Sequence, residues 1–268
     1  MVAGTGSPLR AALRPALGPL LCLGLLFVTG CGAAGPTCGT GSCTRVLFLG
    51  NSYTYVNDLP STFAQLAASA GRPVEVAMVA NGGETLAQHA SSADSLGKIT
   101  SQHWTYVVLQ EQSETPATTS GRAVMYPAVR TLAAAVESDG AVPMLFMTWA
   151  HSDGMPETGL ADYADMQGQV DAGYYAIAQE LKVPVAPVGY TWSQVRRDHP
   201  EIELWGDDGT HPDGAGTYLA ACVFYASIFR QSPDGLAFHG GVPDDQARIL
   251  QDEAARNVLD LQAQWGLR

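Results

Sequence analysis

Five short apolar runs punctuate the chain, at residues 46–49, 74–79, 106–109, 142–147 and 183–188. They are nearly continuous in apolar character rather than alternating. That is the pattern of strands covered on both faces, so the runs predict a buried, mainly parallel, five-stranded sheet. Longer stretches with helical spacing lie between and after them, at 59–70, 126–136, 161–181, 214–229 and 244–262. In the last, Ala247, Leu250, Ala254, Val258 and Leu261 recur at three- and four-residue steps and form one apolar face. Strands alternating with helices predict an α/β fold, a three-layer α/β/α sandwich. In such sheets ligands bind beyond the carboxyl ends of the strands, so the residues just after each run are the ones to inspect.

The first thirty residues do not fit this alternation. They hold two positive charges, Arg10 and Arg14, and no acid, ahead of an apolar stretch at 20–28 broken only by Gly24. A bilayer-spanning helix needs about 20 apolar residues, so this stretch is too short and reads as a signal-peptide core. It ends in Val28-Thr29-Gly30-Cys31, which resembles the bacterial lipobox, where the cysteine is lipidated and becomes the new N-terminus. The expected organisation is a lipoprotein signal peptide at 1–30, a flexible Gly/Ala/Ser/Thr tether at 31–44 and one domain at 45–268. The resemblance implies a protein exported to the bacterial cell envelope and held on the membrane through Cys31.

Charge and cysteine usage narrow the picture further. The chain has 14 basic and 26 acidic residues. Removing the leader leaves 12 basic against 26 acidic, a balance of −14 that disfavours nucleic acid as a partner. Of the five cysteines, Cys38 and Cys43 stand close together, and export makes a disulfide between them the expectation. Cys222, inside the apolar run YLAACVFYASIF, reads as a buried, inert thiol. No cysteine or histidine spacing matches a zinc site, and neither a phosphate-binding glycine loop nor an HExxH motif occurs. No metal or cofactor is implied.

Two segments carry chemistry. In VLFLGNSYT (46–54) the first strand ends and Gly50-Asn51-Ser52 turns the chain, which puts Ser52 at the ligand-binding edge of the sheet. By itself this is also the pattern of a helix-capping serine. In LWGDDGTHPDG (204–214) Asp208 and His211 stand three apart in a polar loop before an apolar helix. A serine hydroxyl needs a neutral imidazole to take its proton and an acid to orient that imidazole. Asp208 and His211 can supply both, with Asp207 and Asp213 as rival acids.

A serine in a Gly-Asn-Ser turn after the first strand, with Asp-x-x-His near the C-terminus, resembles the SGNH/GDSL hydrolase superfamily. The resemblance covers residues 45 to about 230. It implies a flavodoxin-like sheet, Ser52 as nucleophile, Asp208 and His211 as acid and base, and an oxyanion hole. That hole would use the Ser52 N–H, a glycine of VANGGETL (79–86) and an amide after the third strand. Gly83 matches the glycine best, with Gly82 the alternative. The Gly-x-Asn-Asp usual after the third strand is missing, and the chain reads VVLQEQSETP (107–116). A glutamine amide can donate the same bond. Gln110, at the strand end, is the first choice and Gln112 the alternative. Relatives with a Gln-x-x-Ser block, and sialate O-acetylesterase-like proteins, share this departure.

Among the remaining residues, Trp149 is either pocket or core, and His151 is a distant rival for the base. His89, His103, His199 and His239 belong to no constellation. The expected activity is hydrolysis of small acyl esters, including O-acetyl groups on carbohydrates. The alternatives are acyl transfer to a glycan hydroxyl and a non-catalytic, glycan-binding envelope lipoprotein.

Overall fold

A computed structural model describes residues 43–267, together with Met1 and Gly4. The predicted signal peptide, the lipidation site Cys31, Cys38 and nearly all of the tether lie outside the described residues. Cys43 is disulfide-bonded, and Cys38, its expected partner, is among the residues not described.

Five parallel strands form the sheet: β1 (Thr44–Gly50), β2 (Val74–Ala80), β3 (Tyr106–Leu109), β4 (Val142–Phe146) and β5 (Val185–Ala186). Their order is β2-β1-β3-β4-β5, and every pairing is parallel. Val46 to Leu49 are fully buried, as a central strand covered on both faces requires. The chain leaves β1 toward β2 and then returns to its other side to form β3. Their carboxyl ends, Gly50 and Leu109, flank a topological switch point, where a crevice opens in sheets of this kind.

Nine helices fill the connections among the described residues. These are α1 (Ser52–Tyr55), α2 (Leu59–Ser69), α3 (Leu86–Ser91), α4 (Ala93–Ile99), α5 (Thr119–Ser138), α6 (Tyr163–Leu181), α7 (Val188–Asp198), α8 (Gly214–Phe229) and α9 (Asp244–Leu259). Helices α2, α7, α8 and α9 pack together as one layer, and α3 to α6 form the other. Phe48 of β1 meets Phe63 of α2 and Phe224 of α8 edge-on, with Phe146 of β4 against Phe224. All four rings are fully buried, each contributing about 1.5–3 kcal/mol by leaving water.

Three differences from the sequence pattern have physical causes. The run at 183–188 yields only a two-residue strand, because Pro184 and Pro187 flank it and neither can donate to the ladder. From Val188 the chain turns into α7, which the pattern did not predict. The helix expected at 126–136 runs from Thr119 to Ser138, straight through Pro127. Its start is fixed by Thr118, whose hydroxyl accepts from the Gly121 N–H. The polar helices α3 and α4 also lack a clear apolar stripe. The first of them is set by a capping box between Thr85 and Gln88. No helix among the described residues is long and apolar enough to cross a membrane. Cys222 is a free thiol, fully buried in α8.

Candidate active site

Ser52 is the first residue of α1, directly beyond β1. The turn that carries it is locked by two side-chain amides. Asn51 Oδ1 accepts from the Tyr53 N–H at 3.1 Å and from Gln110 Nε2 at 2.9 Å. Its Nδ2 donates to the Glu84 carbonyl at 2.9 Å. Gln110 Oε1 accepts in return from the Asn51 N–H and the Thr54 hydroxyl, both at 2.9 Å. A Cβ on Gly50 would collide with Thr54 Oγ1 and Gln110 Oε1, so only glycine lets the strand end this close to the pair.

The expected base, His211, sits in a loop between α7 and α8. Trp205 and Pro212 form an antiparallel bridge, and the Gly206 N–H donates to the His211 carbonyl at 2.8 Å. Asp208 Oδ1 accepts from the backbone N–H groups of Thr210 and His211, both at 2.9 Å. Its Oδ2 lies 2.6 Å from His211 Nδ1, and His211 Nε2 lies 2.9 Å from Ser52 Oγ. These three bonds, the one from His211 foremost, hold the Asp208 carboxyl well below the usual range, so it is a permanent anion. The rival Asp213 is engaged elsewhere, capping α8 through the Gly216 N–H at 2.8 Å. Core contacts fix the loop. Trp149 Nε1 donates to the Thr210 carbonyl at 2.9 Å, the Ser152 N–H to Gly209 at 2.8 Å, and Asn57 Nδ2 to Pro212 at 2.9 Å.

The triad opens on a cavity of about 310 Å³ lined by Asn51, Ser52, Tyr53, Gly83, Gln112 and their neighbours Ser113, Glu114, His151, Thr210 and His211. Gly83 has φ +68°, a conformation natural to glycine. Neither its N–H nor that of Ser52 meets an acceptor among the described residues.

No family model and no curated protein matches the chain. Solved structures do. A protein of Slackia heliotrinireducens assigned to the SGNH hydrolases is 29% identical, with a TM-score of 0.59, and the match spans 70% of this chain and all of that one. The chain belongs to the SGNH/GDSL hydrolase superfamily. A DUF4886 family protein of Bacteroides uniformis shares its fold at a TM-score of 0.67 and 17% identity, over 81% of this chain and 95% of that one. So does a Geobacillus stearothermophilus acetylxylan esterase, with 0.54 and 15%, over 69% and 94%.

After β3 the expectation of Gln110 as the oxyanion donor needs correction. Gln110 does not reach the cavity. Its oxygen faces the Asn51 N–H, and its nitrogen donates to Asn51 Oδ1 and the Glu111 carbonyl. Backbone groups fix both ends of the amide, so it cannot turn over, and Gln110 is a fully buried clamp. Gln112 does line the cavity. Its oxygen is held inside the following turn by the N–H groups of Glu114 and Thr115 and by the Thr115 hydroxyl, at 2.9–3.1 Å. Its NH₂ therefore faces outward, with one weak bond to Ser113 Oγ at 3.3 Å.

Other residues have roles the sequence did not reveal. Glu111 is fully buried, and its Oε1 accepts from the Leu86 and Gln112 N–H groups, joining the Gly83 and Gln112 segments of this SGNH site. Its other oxygen has no partner, and burial raises the carboxyl from 4.5 to about 7. His89 is also fully buried. Its Nε2 donates to the Gly50 carbonyl at 2.9 Å, while Ser95 donates to Nδ1 at 2.8 Å. Trp149 belongs to the core, stacked between Tyr53 and Trp192 with centroids at 4.4 and 4.3 Å. His151 contacts Ser113 rather than Ser52. Among the described residues no cluster of three or more His, Cys, Asp or Glu could hold a metal ion.

Proposed function

We propose that this SGNH protein is a serine esterase that hydrolyses small acyl esters through an acyl-Ser52 intermediate. The observation that carries the reading is the unbroken relay Ser52–His211–Asp208, at 2.9 and 2.6 Å, on the wall of an open cavity. His211 Nε2 takes the Ser52 proton as Oγ bonds to the ester carbonyl carbon. The carbonyl π electrons move onto oxygen, where the Ser52 and Gly83 N–H groups and the Gln112 NH₂ are the available donors. Collapse of this adduct breaks the bond to the alcohol oxygen, and His211 gives that oxygen its proton. Water then attacks the acyl-serine with His211 again as base, releasing the acid and restoring Ser52. Asp208 remains ionised and stabilises the imidazolium in each half-reaction.

A cavity this small suits a short acyl group better than a long alkyl chain. O-acetyl esters of carbohydrates are the substrates we favour. We further propose that the enzyme acts at the bacterial envelope, anchored through lipid on Cys31. The small residues before that cysteine support the anchor, and a fatty-acid label lost in Cys31→Ser tests it.

A fluorophosphonate probe together with 4-nitrophenyl acetate tests the chemistry. Wild type should be labelled at Ser52 and should turn over the ester, and Ser52→Ala should do neither. A folded Ser52→Ala protein that retains turnover would defeat the acyl-Ser52 mechanism, and a folded wild type that neither takes the label nor turns over the ester would favour a site that only binds glycans.

A further inference from the structure

The same cavity wall holds a second serine–histidine pair. Ser113 Oγ lies 3.1 Å from His151 Nε2, and both residues face the space bordered by Ser52 and His211. Ser113 is buried, and burial lowers the His151 pKa, so the ring is neutral near pH 7. Among the described residues no carboxylate hydrogen-bonds the His151 ring, so the pair lacks the third group that makes a serine–histidine dyad nucleophilic.

Its hydrogen-bonding capacity is nevertheless defined. A neutral imidazole has one N–H and one lone pair, and a serine hydroxyl has one O–H and two lone pairs. One lone pair on Ser113 accepts from Gln112 Nε2. If Ser113 donates to His151, the ring keeps an N–H and the oxygen keeps a lone pair. If His151 donates to Ser113, the hydroxyl keeps its proton and the ring keeps a lone pair. Either way one donor and one acceptor remain without a partner among the described residues. A free donor beside a free acceptor suits a guest that both gives and accepts, and the hydroxyl of an ester's alcohol portion is such a group.

We propose that Ser113 and His151 form a hydroxyl-binding subsite for the alcohol portion of the ester, so that the enzyme prefers monoacyl esters of polyols and sugars. This rests on the esterase reading above. A simple acyl group carries no hydroxyl, whereas a sugar ester carries one beside the acylated position.

The test compares the ratio of kcat/KM for 3-O-acetylglucose to that for 4-nitrophenyl acetate in wild type, Ser113→Ala, His151→Phe and His151→Asn. A ratio cancels any disturbance of Gln112, which affects both substrates alike. The ratio should fall about ten-fold in Ser113→Ala and His151→Phe, mainly through KM, as loss of one neutral hydrogen bond predicts. His151→Asn, which restores a donor and an acceptor, should recover part of it. An unchanged ratio, or one that His151→Asn fails to recover, overturns the subsite. So does a selective loss on 4-nitrophenyl 3-hydroxybutyrate, which carries its hydroxyl on the acyl side. Wild-type turnover of 4-nitrophenyl acetate, dependent on Ser52, checks the esterase reading separately.

Discussion

The nucleophile turn and the base loop bring their side chains together by opposite means. Asn51, next to Ser52, is 2% exposed, and its amide is tied to β3 and to the Glu84 carbonyl, residues distant in sequence. The Asp208 side chain is 53% exposed, and all three of its partners lie within three residues. The residue beside the nucleophile is oriented by partners from the core, whereas the acid is oriented by bonds within its own short loop. Damage should therefore show differently in each half. Changes in the core-held half should cost stability as well as rate, and changes in the loop should cost rate almost alone.

The largest effect should come from the point where the halves meet. Ser52→Ala and His211→Ala should each lower kcat by roughly 10⁴-fold or more, with the double variant little worse, because the groups act as a unit. Asp208→Asn should retain more activity and unfold at nearly the wild-type temperature. A large drop in its melting temperature would erase the contrast between the halves.

The two glutamines sharpen the comparison. Gln112→Ala should lower kcat by roughly 10²-fold with little change in KM, the usual loss of one oxyanion donor. Gln110→Ala leaves the Asn51 N–H and the Thr54 hydroxyl unpaired in the core and removes one of the two bonds to Asn51 Oδ1, and should cost roughly 3 kcal/mol of stability. Chemical denaturation with steady-state kinetics on both variants separates these outcomes. A stable, slow Gln110→Ala would return the oxyanion role to Gln110.

Glu111 gives the smallest and most specific test. Its carboxyl is raised from 4.5 to about 7 when folded. Between those values the folded protein holds a proton that the unfolded chain has lost. Stability should therefore fall as pH rises through that window, by about 3 kcal/mol in total. Glu111→Gln should flatten this dependence, read as the difference between its melting temperature and that of wild type from pH 4.5 to 7.5. Parallel curves would mean that Glu111 does not titrate there.

What was legible in the sequence follows the same division. Strands buried on both faces leave continuous apolar runs, and an acid and a base three residues apart declare themselves locally. The roles of Gln110 and Gln112 were not legible, because each amide is oriented mainly by backbone groups, which no residue type announces. For Gln110 these are the Asn51 N–H and the Glu111 carbonyl, and for Gln112 the turn at Glu114 and Thr115. Glu111 and His89 are not legible because each has a key partner in a backbone group of a distant segment, the Leu86 N–H for Glu111 and the Gly50 carbonyl for His89. Helix α7 was missed because Gly189, Tyr190 and Thr191 are poor helix formers. Packing of Trp192 against Trp149 and Trp205 outweighs that preference.

That aromatic column has an optical consequence. Tyr53, Trp149, Trp192 and Trp205 run in contact from beside Ser52 into the core, and the Tyr53 ring also meets His211 edge-on at 5.7 Å. Three of the chain's five tryptophans are thus held in fixed mutual orientation within a few ångströms. Near-ultraviolet circular dichroism depends on such fixed packing and vanishes when it loosens, even where helices survive. The protein therefore carries its own chromophore for the integrity of the site, with no label attached.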